Sequence, residues 1–336
     1  MLFNYTDRDT LLEADWEKDA TYKWGIPLHP LGEINTIDYV MQAQGNLQDM
    51  RARTRGIFLQ LATSGFVSYL FVYNVITAAL TTLRRPRALS NWCCLIQAIS
   101  GIGYVTMALM LNVPGGTTCR QSVWYSGSAI VLSSVCVSIT LLQRAYLAHG
   151  RSKRLLFFGI VLLLPQPLTA FIMWTSPTFM VPSIGCYVFY PHYFPWVKLA
   201  VDAPINTLFS IAFITVVYQQ YRRFGSAAWA QLVRNGIQTM CTIALANLIC
   251  MICVSFEVLG LYSEMFFAFD WILVSTLLAR HCKAMSALTT EPNPEPGNNA
   301  DESFSLIVTM TGMDHAHTSV ATVPRRHLSS YYIALR

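Results

Sequence analysis

Charged residues are scarce in this sequence. Only 12% of its 336 residues are Asp, Glu, Lys or Arg, whereas a soluble globular domain carries about 25%. Hydrophobic residues make up 54%, and the mean hydropathy is +0.41. This composition excludes an ordinary soluble domain, and the basic residues form no patch of the kind that binds nucleic acid. It indicates an integral membrane protein in contact with a lipid bilayer.

Motifs of catalytic and cofactor sites are also lacking. The sequence contains no Gly-rich phosphate loop, no His-Glu-x-x-His, no Gly-x-Ser-x-Gly and no Cys/His spacing of a zinc site. A retinal Schiff base needs a lysine deep in a helix bundle, and none is expected there. The five lysines are Lys18, Lys23, Lys153, Lys198 and Lys283. We therefore predict no enzymatic activity, no cofactor and no metal.

Seven apolar stretches are long enough to cross a bilayer. Each holds roughly 20 residues, which a helix needs to cross about 30 Å of hydrocarbon, and none alternates like a membrane barrel strand. The seventh is the weakest, because Glu264 and Asp270 interrupt it, so six helices are an alternative count. The prediction is an all-α integral membrane protein with a seven-transmembrane helix bundle, formed by Ile57–Leu83, Trp92–Leu111, Val123–Leu142, Leu155–Trp174, Leu199–Tyr218, Ile237–Phe256 and Tyr262–Ala279.

Basic residues are concentrated in alternate connections between these stretches. The opposite connections hold only Arg120 and Lys198. Because the basic side is normally cytoplasmic, we predict an extracellular N-terminal segment (1–56), a bundle (57–285) and a disordered cytoplasmic tail (286–336). The twelve residues on the basic side are Arg84, Arg85, Arg87, Arg144, Arg151, Lys153, Arg154, Arg222, Arg223, Arg234, Arg280 and Lys283.

The N-terminal segment gives mixed support to this orientation. Arg51, Arg53 and Arg55 precede the first span on the predicted outer side and oppose it. Asn4 opens the sequence Asn-Tyr-Thr, a glycosylation acceptor that functions only outside the cell. The segment is acidic and has no apolar core, so it is not expected to be a cleavable signal peptide.

The predicted topology places the nine cysteines on different sides of the membrane or within it. Only Cys119 and Cys186 face the oxidising side, so we predict a disulfide that ties the loop before the fifth helix to the outer end of the third. The alternative is two unpaired thiols. Cys282 follows the seventh span on the cytoplasmic side and is a predicted palmitoylation site.

The separation between Cys119 and Arg144 resembles that of the rhodopsin-like G-protein-coupled receptors. The two residues are 25 apart, about 37 Å of helix. In that family a cysteine at the outer end of the third helix bonds to the second outer loop, and an Asp/Glu-Arg-Tyr triplet follows at this separation. Here the triplet is Gln143-Arg144-Ala145, with Tyr146 one place later.

Further motifs resemble the same family in the first five helices. They are Asn74, the Leu-Arg-x-Pro turn at Leu83–Pro86, Asn91 and Pro204. The last two helices depart from the family, since the sixth has no Trp-x-Pro and Asp270–Val274 replaces Asn/Asp-Pro-x-x-Tyr. Gly101 stands where the family has an aspartate. The C-terminal half, including Arg-Asn-Gly at 234–236, is similar to fungal seven-helix membrane proteins.

The resemblance implies a plasma-membrane receptor that passes an extracellular ligand signal to a heterotrimeric G protein. The residues expected at the coupling surface are Arg144, Tyr146, Arg84, Arg85, Arg222 and Arg223. Arg144 has an alternative interpretation as an anchor at the inner membrane surface, since a long basic side chain can reach the interface from the end of a span. The ligand, a small molecule or a peptide, is not indicated.

Polar residues within the apolar stretches are candidates for a ligand site or for an interhelical network. Ionisable groups at membrane depth cost about 2.5 to 3.5 kcal/mol each on insertion scales, so they are usually paired or functional. Lys198 and Asp202 are four apart and are expected to form a local ion pair. The candidates are Asp270, Asn247, Asn206, Asp202, Gln97 and Gln166.

Two other functions are compatible with the sequence. In a transporter or channel, Asp270, Asn247 and Asp202 would line a path across the membrane. In a membrane scaffold, the tail and the N-terminal segment would carry the function.

Overall fold

The computed structural model describes Trp16 and residues 20–149, 151–182, 184–224 and 227–288. The predicted glycosylation site Asn4 and the predicted tail beyond residue 288 lie outside these described residues. The helices are α1 (Thr36–Met41), α2 (Leu47–Arg84), α3 (Leu89–Met110), α4 (Cys119–Ala148), α5 (Lys153–Leu163), α6 (Gln166–Thr175), α7 (Phe194–Phe224), α8 (Ala227–Ser255) and α9 (Met265–Leu288). The strands are β1 (Thr21–Lys23), β2 (Ile26–Leu28), β3 (Thr178–Val181) and β4 (Gly185–Val188).

Within the described residues, six helical segments are long and apolar enough to cross a membrane. They are Leu47–Arg84, Leu89–Met110, Cys119–Gln143, Lys153–Thr175, Gln238–Ser255 and Gly260–Ala284. The last of them covers the weakest predicted span, so Glu264 and Asp270 do not prevent that helix from forming. Helix α7 occupies the position of the predicted fifth span and is 31 residues long, but its described residues do not place it among the six.

The long helices form a closed ring that includes α4. Helix α2 packs on α3, α3 on α4, α4 on α6, α6 on α7, α7 on α8 and α8 on α9, and α9 returns to α2. Helix α4 also contacts α7 and α9. Polar side chains on the inward faces of α4, α7 and α9 are therefore brought together at the centre of the bundle.

Prolines have different effects in the fourth and fifth predicted spans. The fourth span divides at Leu164 and Pro165 into α5 and α6, and α6 begins with Gln166 and Pro167. A proline lacks the N–H that would bond back one turn, so a helix end is favoured there. Pro204 lies inside α7, which continues through it.

Asparagines connect α2 to its neighbours. Asn91 Nδ2 donates to the Thr81 and Arg85 carbonyl oxygens at 3.2 and 3.3 Å, which closes the short turn between α2 and α3. Asn74 Nδ2 donates to the hydroxyls of Ser275 and Thr276 at 3.2 and 3.1 Å, which joins α2 to α9. Interhelical hydrogen bonds of this kind are common in membrane bundles, where water does not compete.

One end of the bundle is covered by a structure that we call the lid, formed by residues 30–41 and the β3–β4 hairpin. The hairpin is antiparallel, with Met180 opposite Cys186. The N-terminal part of the lid attaches through Thr36 N to Leu111 O at 3.2 Å and Cys119 N to Ile34 O at 3.3 Å. Neither this hairpin nor the β1–β2 hairpin was expected in an all-helical protein.

Arg53 holds the lid to α2. Its guanidinium donates to Tyr39 O at 2.6 Å, lies 4.2 Å from the centre of the Tyr39 ring and pairs with Asp49 at 2.9 Å. Burial raises the pKa of Tyr39 to about 12, so the phenol is neutral beside this cation at physiological pH. A structural role therefore accounts for one of the arginines that oppose the predicted orientation.

We predict that Gly101→Ala destabilises the bundle whereas Gly65→Ala does not. A Cβ at Gly101 would overlap the ring of Phe71, which is fully buried, whereas a Cβ at Gly65 meets nothing within 4 Å. Overpacking costs about 1–3 kcal/mol, and glycine to alanine in an open helix position gains up to about 1 kcal/mol. Thermal unfolding of both variants in detergent measures the difference, and equal Tm values would contradict the packing of α3 on α2.

Candidate functional site

A small polar cavity lies at the centre of the bundle between α4, α6, α7, α8 and α9. Its volume is about 30 Å³ for the centres of water-sized molecules, and one water needs at least about 10–15 Å³ on this measure. The cavity therefore accommodates very few water molecules. Its polar lining residues are Ser133, Ser134, Ser138, Gln166, Lys198, Asp202, Asn206, Asn247 and Asp270.

An ion pair between Lys198 and Asp202 forms one wall of the cavity. The ammonium lies 2.7 Å from Asp202 Oδ2, and the two side chains are only 6% and 4% exposed. Gln166 Nε2 on α6 donates to Asp202 Oδ1 at 3.3 Å and to Ser138 Oγ on α4 at 3.0 Å. The spacing correctly predicts the contact within α7, but the pair is buried and connects α7 to α6 and α4.

The expectation that no lysine lies deep in the bundle is wrong for Lys198. Lys198 lies on the inward face of α7, where it lines the cavity. Only 4% of the residue is exposed. Hydropathy alone does not reveal this, because a lysine near a helix end often reaches the interface. Pairing with Asp202 and the small volume of the cavity leave no room for a group as large as retinal on this amine.

A second series of hydrogen bonds joins α7, α8 and α9. Asn206 Nδ2 donates to Asn247 Oδ1, and Asn247 Nδ2 donates to Asp270 Oδ2, both at 2.9 Å. Asp202 and Asn206 lie one turn apart on α7, so this helix belongs to both series. The structure thus brings together five of the six residues predicted from sequence for a ligand site or a polar network.

Gln97 is the sixth, and it lies elsewhere. Its Nε2 donates to Ser133 Oγ at 2.7 Å and links α3 to α4. Ser133 lines the cavity, whereas Gln97 does not. The position of Gln97 within its apolar stretch does not distinguish it from the residues that line the cavity. Gln97 is fully buried as well.

Asp270 is the one acidic residue of the cavity without a cationic partner in the described part of the chain. No described lysine, arginine or histidine nitrogen lies within 4 Å of its carboxylate, whereas Asp202 has Lys198. Asp270 Oδ1 and Gln166 Oε1 are buried and have no hydrogen-bond donor among the described residues. The cavity therefore presents two acceptor oxygens and is suited to a ligand that donates hydrogen bonds or carries positive charge.

The lid is connected to the wall of this cavity by the residues that follow the β3–β4 hairpin. Cys119 at the start of α4 and Cys186 on β4 lie at disulfide distance, with Cα atoms 5.5 Å apart, as predicted from their shared side. Tyr190 and Phe194 follow the hairpin, and their rings lie 6.3 and 6.2 Å from that of Phe267. Since Phe267 lines the cavity, the segment after the hairpin connects the lid to the cavity wall.

The aromatic residues of this loop are distributed differently from a membrane-interface belt. Tyr187, Tyr190 and Phe194 are buried. Only Tyr193 and Trp196 are strongly exposed, at 58% and 47%. The alternation of β-branched and aromatic residues between Pro177 and Val188, interrupted at 182–185, was the sequence signal for a hairpin here.

The predicted coupling residues lie at the opposite end of the bundle from the lid. Arg84 is exposed, and Arg85 and Tyr146 are partly exposed. Arg144, Arg222 and Arg223 are at helical positions in α4 and α7, and their side chains lie outside the described residues. The structure therefore shows where this surface lies, and it describes the side chains of Arg84, Arg85 and Tyr146 within it.

Cys282 does not present an accessible thiol for the predicted palmitoylation. It is 3% exposed, and its Sγ lies 3.1 Å from that of Cys94 on α3. Acylation of Cys282 requires α9 to move away from α3.

Comparison with known proteins identifies no relative. No protein-family model matches the chain, and no curated protein sequence is significantly similar to it. The candidate site is therefore supported by its geometry, and the receptor resemblance by the sequence motifs that carry it.

We predict that Lys198→Met is strongly destabilising and that adding Asp202→Leu restores much of the loss. The single change leaves the Asp202 carboxylate buried without its cation, which typically costs about 3–5 kcal/mol, whereas replacing both partners with apolar residues is often close to neutral. Tm and the folded yield in detergent measure this. Lys283→Met, at an exposed lysine, is the control, and a double variant as unstable as the single one would contradict the pairing.

Proposed function

We propose that the protein is a seven-helix plasma-membrane receptor that senses a cationic ligand at the central cavity and acts on a heterotrimeric G protein. The observation that carries this proposal is the buried polar network that joins five helices beneath a lid tied to α4. Such a network makes the relative positions of these helices depend on what occupies the cavity.

Helix α7 is central to the expected response. Through Asp202 it contacts Gln166 on α6, and through Asn206 it contacts Asn247 on α8. A ligand that competes for Asp270 removes the carboxylate from Asn247 and so weakens the series that holds α8 and α9 to α7. Two alternative sets of hydrogen bonds then correspond to two packings of the helices.

The charge of the cavity indicates the class of ligand. The two carboxylates and one ammonium give a net negative charge in surroundings of low dielectric, where an unpaired charge is costly. A ligand with an ammonium or guanidinium group compensates Asp270. The cavity has room only for water-sized molecules. Binding of such a ligand therefore requires the bundle to open next to the lid, or α8 or α9 to shift outward.

Seven crossings follow if α7 is counted as a span. It lies between α6 and α8 in the closed ring, and the other members of that ring are apolar enough to cross. An odd number of crossings with the basic connections inside places the lid outside the cell, where the Cys119–Cys186 bond is stable.

We predict that tags at the two chain ends are found on opposite faces of the membrane. A tag before residue 20 is expected to be labelled on intact cells, and a tag after Arg336 only after permeabilisation. A third tag placed at Pro191–Tyr193, beside the lid, should behave like the first. Labelling of both ends on the same face would show six crossings and remove the receptor proposal.

We predict that two substitutions separate ligand sensing from coupling. The full chain in nanodiscs is mixed with purified heterotrimeric G protein and a panel of primary alkylammonium ions, with nucleotide exchange and Tm as the two measurements. Asp270→Asn keeps the shape of the side chain but removes its charge, so the alkylammonium-dependent rise in Tm and the exchange response should both be lost. Arg144→Ala should lose exchange and keep the rise in Tm.

Arg87→Ala is the control for the second substitution, because Arg87 is exposed at the same end of the bundle and is not a predicted coupling residue. Exchange that is unchanged in Arg144→Ala would leave Arg144 as a membrane anchor. Cation flux into proteoliposomes that Asp270→Asn abolishes, without any nucleotide exchange, would instead support the transporter or channel interpretation.

A further inference from the structure

Two thiols from distant parts of the chain lie in contact in the half of the bundle away from the lid. The Sγ atoms of Cys94 on α3 and Cys282 on α9 are 3.1 Å apart, although the residues are separated by 188 positions. Each residue is only 3% exposed. A disulfide has an S–S distance of about 2.05 Å, so an approach of about 1 Å would allow the bond to form.

The surroundings of this pair hold the two thiols against each other. Both residues belong to an apolar cluster that includes Ala78 and Leu278, so water competes little for either sulfur. The adjacent Cys93 points to α4, where it contacts Cys136. The two neighbouring cysteines of α3 therefore face different helices, and Cys94 is the one directed at α9.

We propose that Cys94 and Cys282 are an oxidative modification site at which a hydroperoxide converts the two thiols into a disulfide between α3 and α9. The site lies outside the cavity and the lid, and it does not depend on the proposed receptor function. It also differs in kind from the Cys119–Cys186 pair, which fixes the lid at the other end of the bundle.

The reaction proceeds in two balanced steps. One thiol loses its proton and attacks the peroxide oxygen as the thiolate, the O–O bond breaks, and the leaving oxygen takes up that proton, so a sulfenic acid and an alcohol form; with hydrogen peroxide the second product is water. The second thiol then attacks the sulfenic sulfur, the S–S bond forms and water leaves with the hydroxyl group and the thiol proton. The two thiols together lose two electrons to the peroxide, and a dithiol reverses the bond by exchange.

The bond would restrict α9. Asn74 already holds the middle of α9 to α2 through Ser275 and Thr276, and Cys282 lies two turns further along. A covalent link from there to α3 prevents the end of α9 from separating from its neighbours. It also blocks acylation of Cys282, because the same sulfur is consumed.

Peptide mapping of the full chain tests this site. The protein in nanodiscs is treated with hydrogen peroxide, its remaining thiols are alkylated, and it is digested with trypsin without reduction. Trypsin cuts after Arg280 and after Lys283 and so releases Cys282 in the tripeptide His281–Lys283. We expect this tripeptide to be attached to the peptide Ala88–Arg120, which is also joined to Leu155–Lys198 through the Cys119–Cys186 bond. Dithiothreitol should release it.

Single substitutions identify the partner within that peptide, which also contains Cys93 and Cys119. Cys93→Ala should retain the tripeptide adduct, and Cys94→Ala should lose it completely. Oxidation should raise the Tm of the wild type and of Cys93→Ala, since a cross-link restricts the unfolded chain, and leave Cys94→Ala and Cys282→Ala unchanged. If Cys94→Ala does not fold, Cys282→Ala with the Tm measurement decides the question.

Other products would overturn the proposal. Cys94 and Cys282 that are both alkylated after peroxide treatment, or that are both converted to sulfinic or sulfonic acids, would show that the thiols do not join. A disulfide between Cys93 and Cys136, with the tripeptide free, would assign the reactivity to the neighbouring pair.

Discussion

The ion pair between Lys198 and Asp202 constrains the rest of the bundle. Each charge alone would cost about 2.5 to 3.5 kcal/mol within the membrane on insertion scales, so the two side chains stay in contact and on the inward face of α7. That orientation turns Asn206, one turn further on, toward Asn247 on α8. Asn247 in turn reaches Asp270 on α9. The packing of α8 and α9 therefore depends on the rotation of α7 that the ion pair imposes.

The pair also makes α7 depend on its neighbours. Helix α7 carries a lysine, an aspartate and an asparagine on one face, and these groups are satisfied by one another and by other helices. Hydrogen bonds with Gln166, Ser134 and Asn247 replace those that water would make. The polar face of α7 is thus stabilised within the bundle by tertiary contacts.

The two ends of the bundle differ in how they can change. At the lid end, a disulfide and the backbone bonds at Thr36 and Cys119 hold the covering structure to α3 and α4. At the other end, α3 and α9 meet through noncovalent contacts and through the thiols of Cys94 and Cys282. Movement in response to a ligand is therefore expected mainly in α8 and α9, and oxidation of the two thiols is expected to restrict α9.

Much of the fold and part of the candidate site follow from sequence alone. The length and hydropathy of the apolar stretches place the helices, because a buried backbone in lipid must form all its hydrogen bonds within a helix. The scarcity of cysteines on one side identifies the Cys119–Cys186 pair, and four-residue spacing identifies the contact of Lys198 with Asp202. These features depend on local composition or on the side of the membrane that each connection faces. Both can be inferred from the sequence alone.

Other features were decided only by the tertiary structure. The burial of Lys198, the separation of Gln97 from the cavity and the contact between Cys94 and Cys282 each depend on which faces of distant helices meet. A sequence gives the position of a residue along its helix, but the rotation of each helix is set by all the contacts around the ring together. For that reason the polar residues could be recognised from the sequence, whereas their partners on other helices could not.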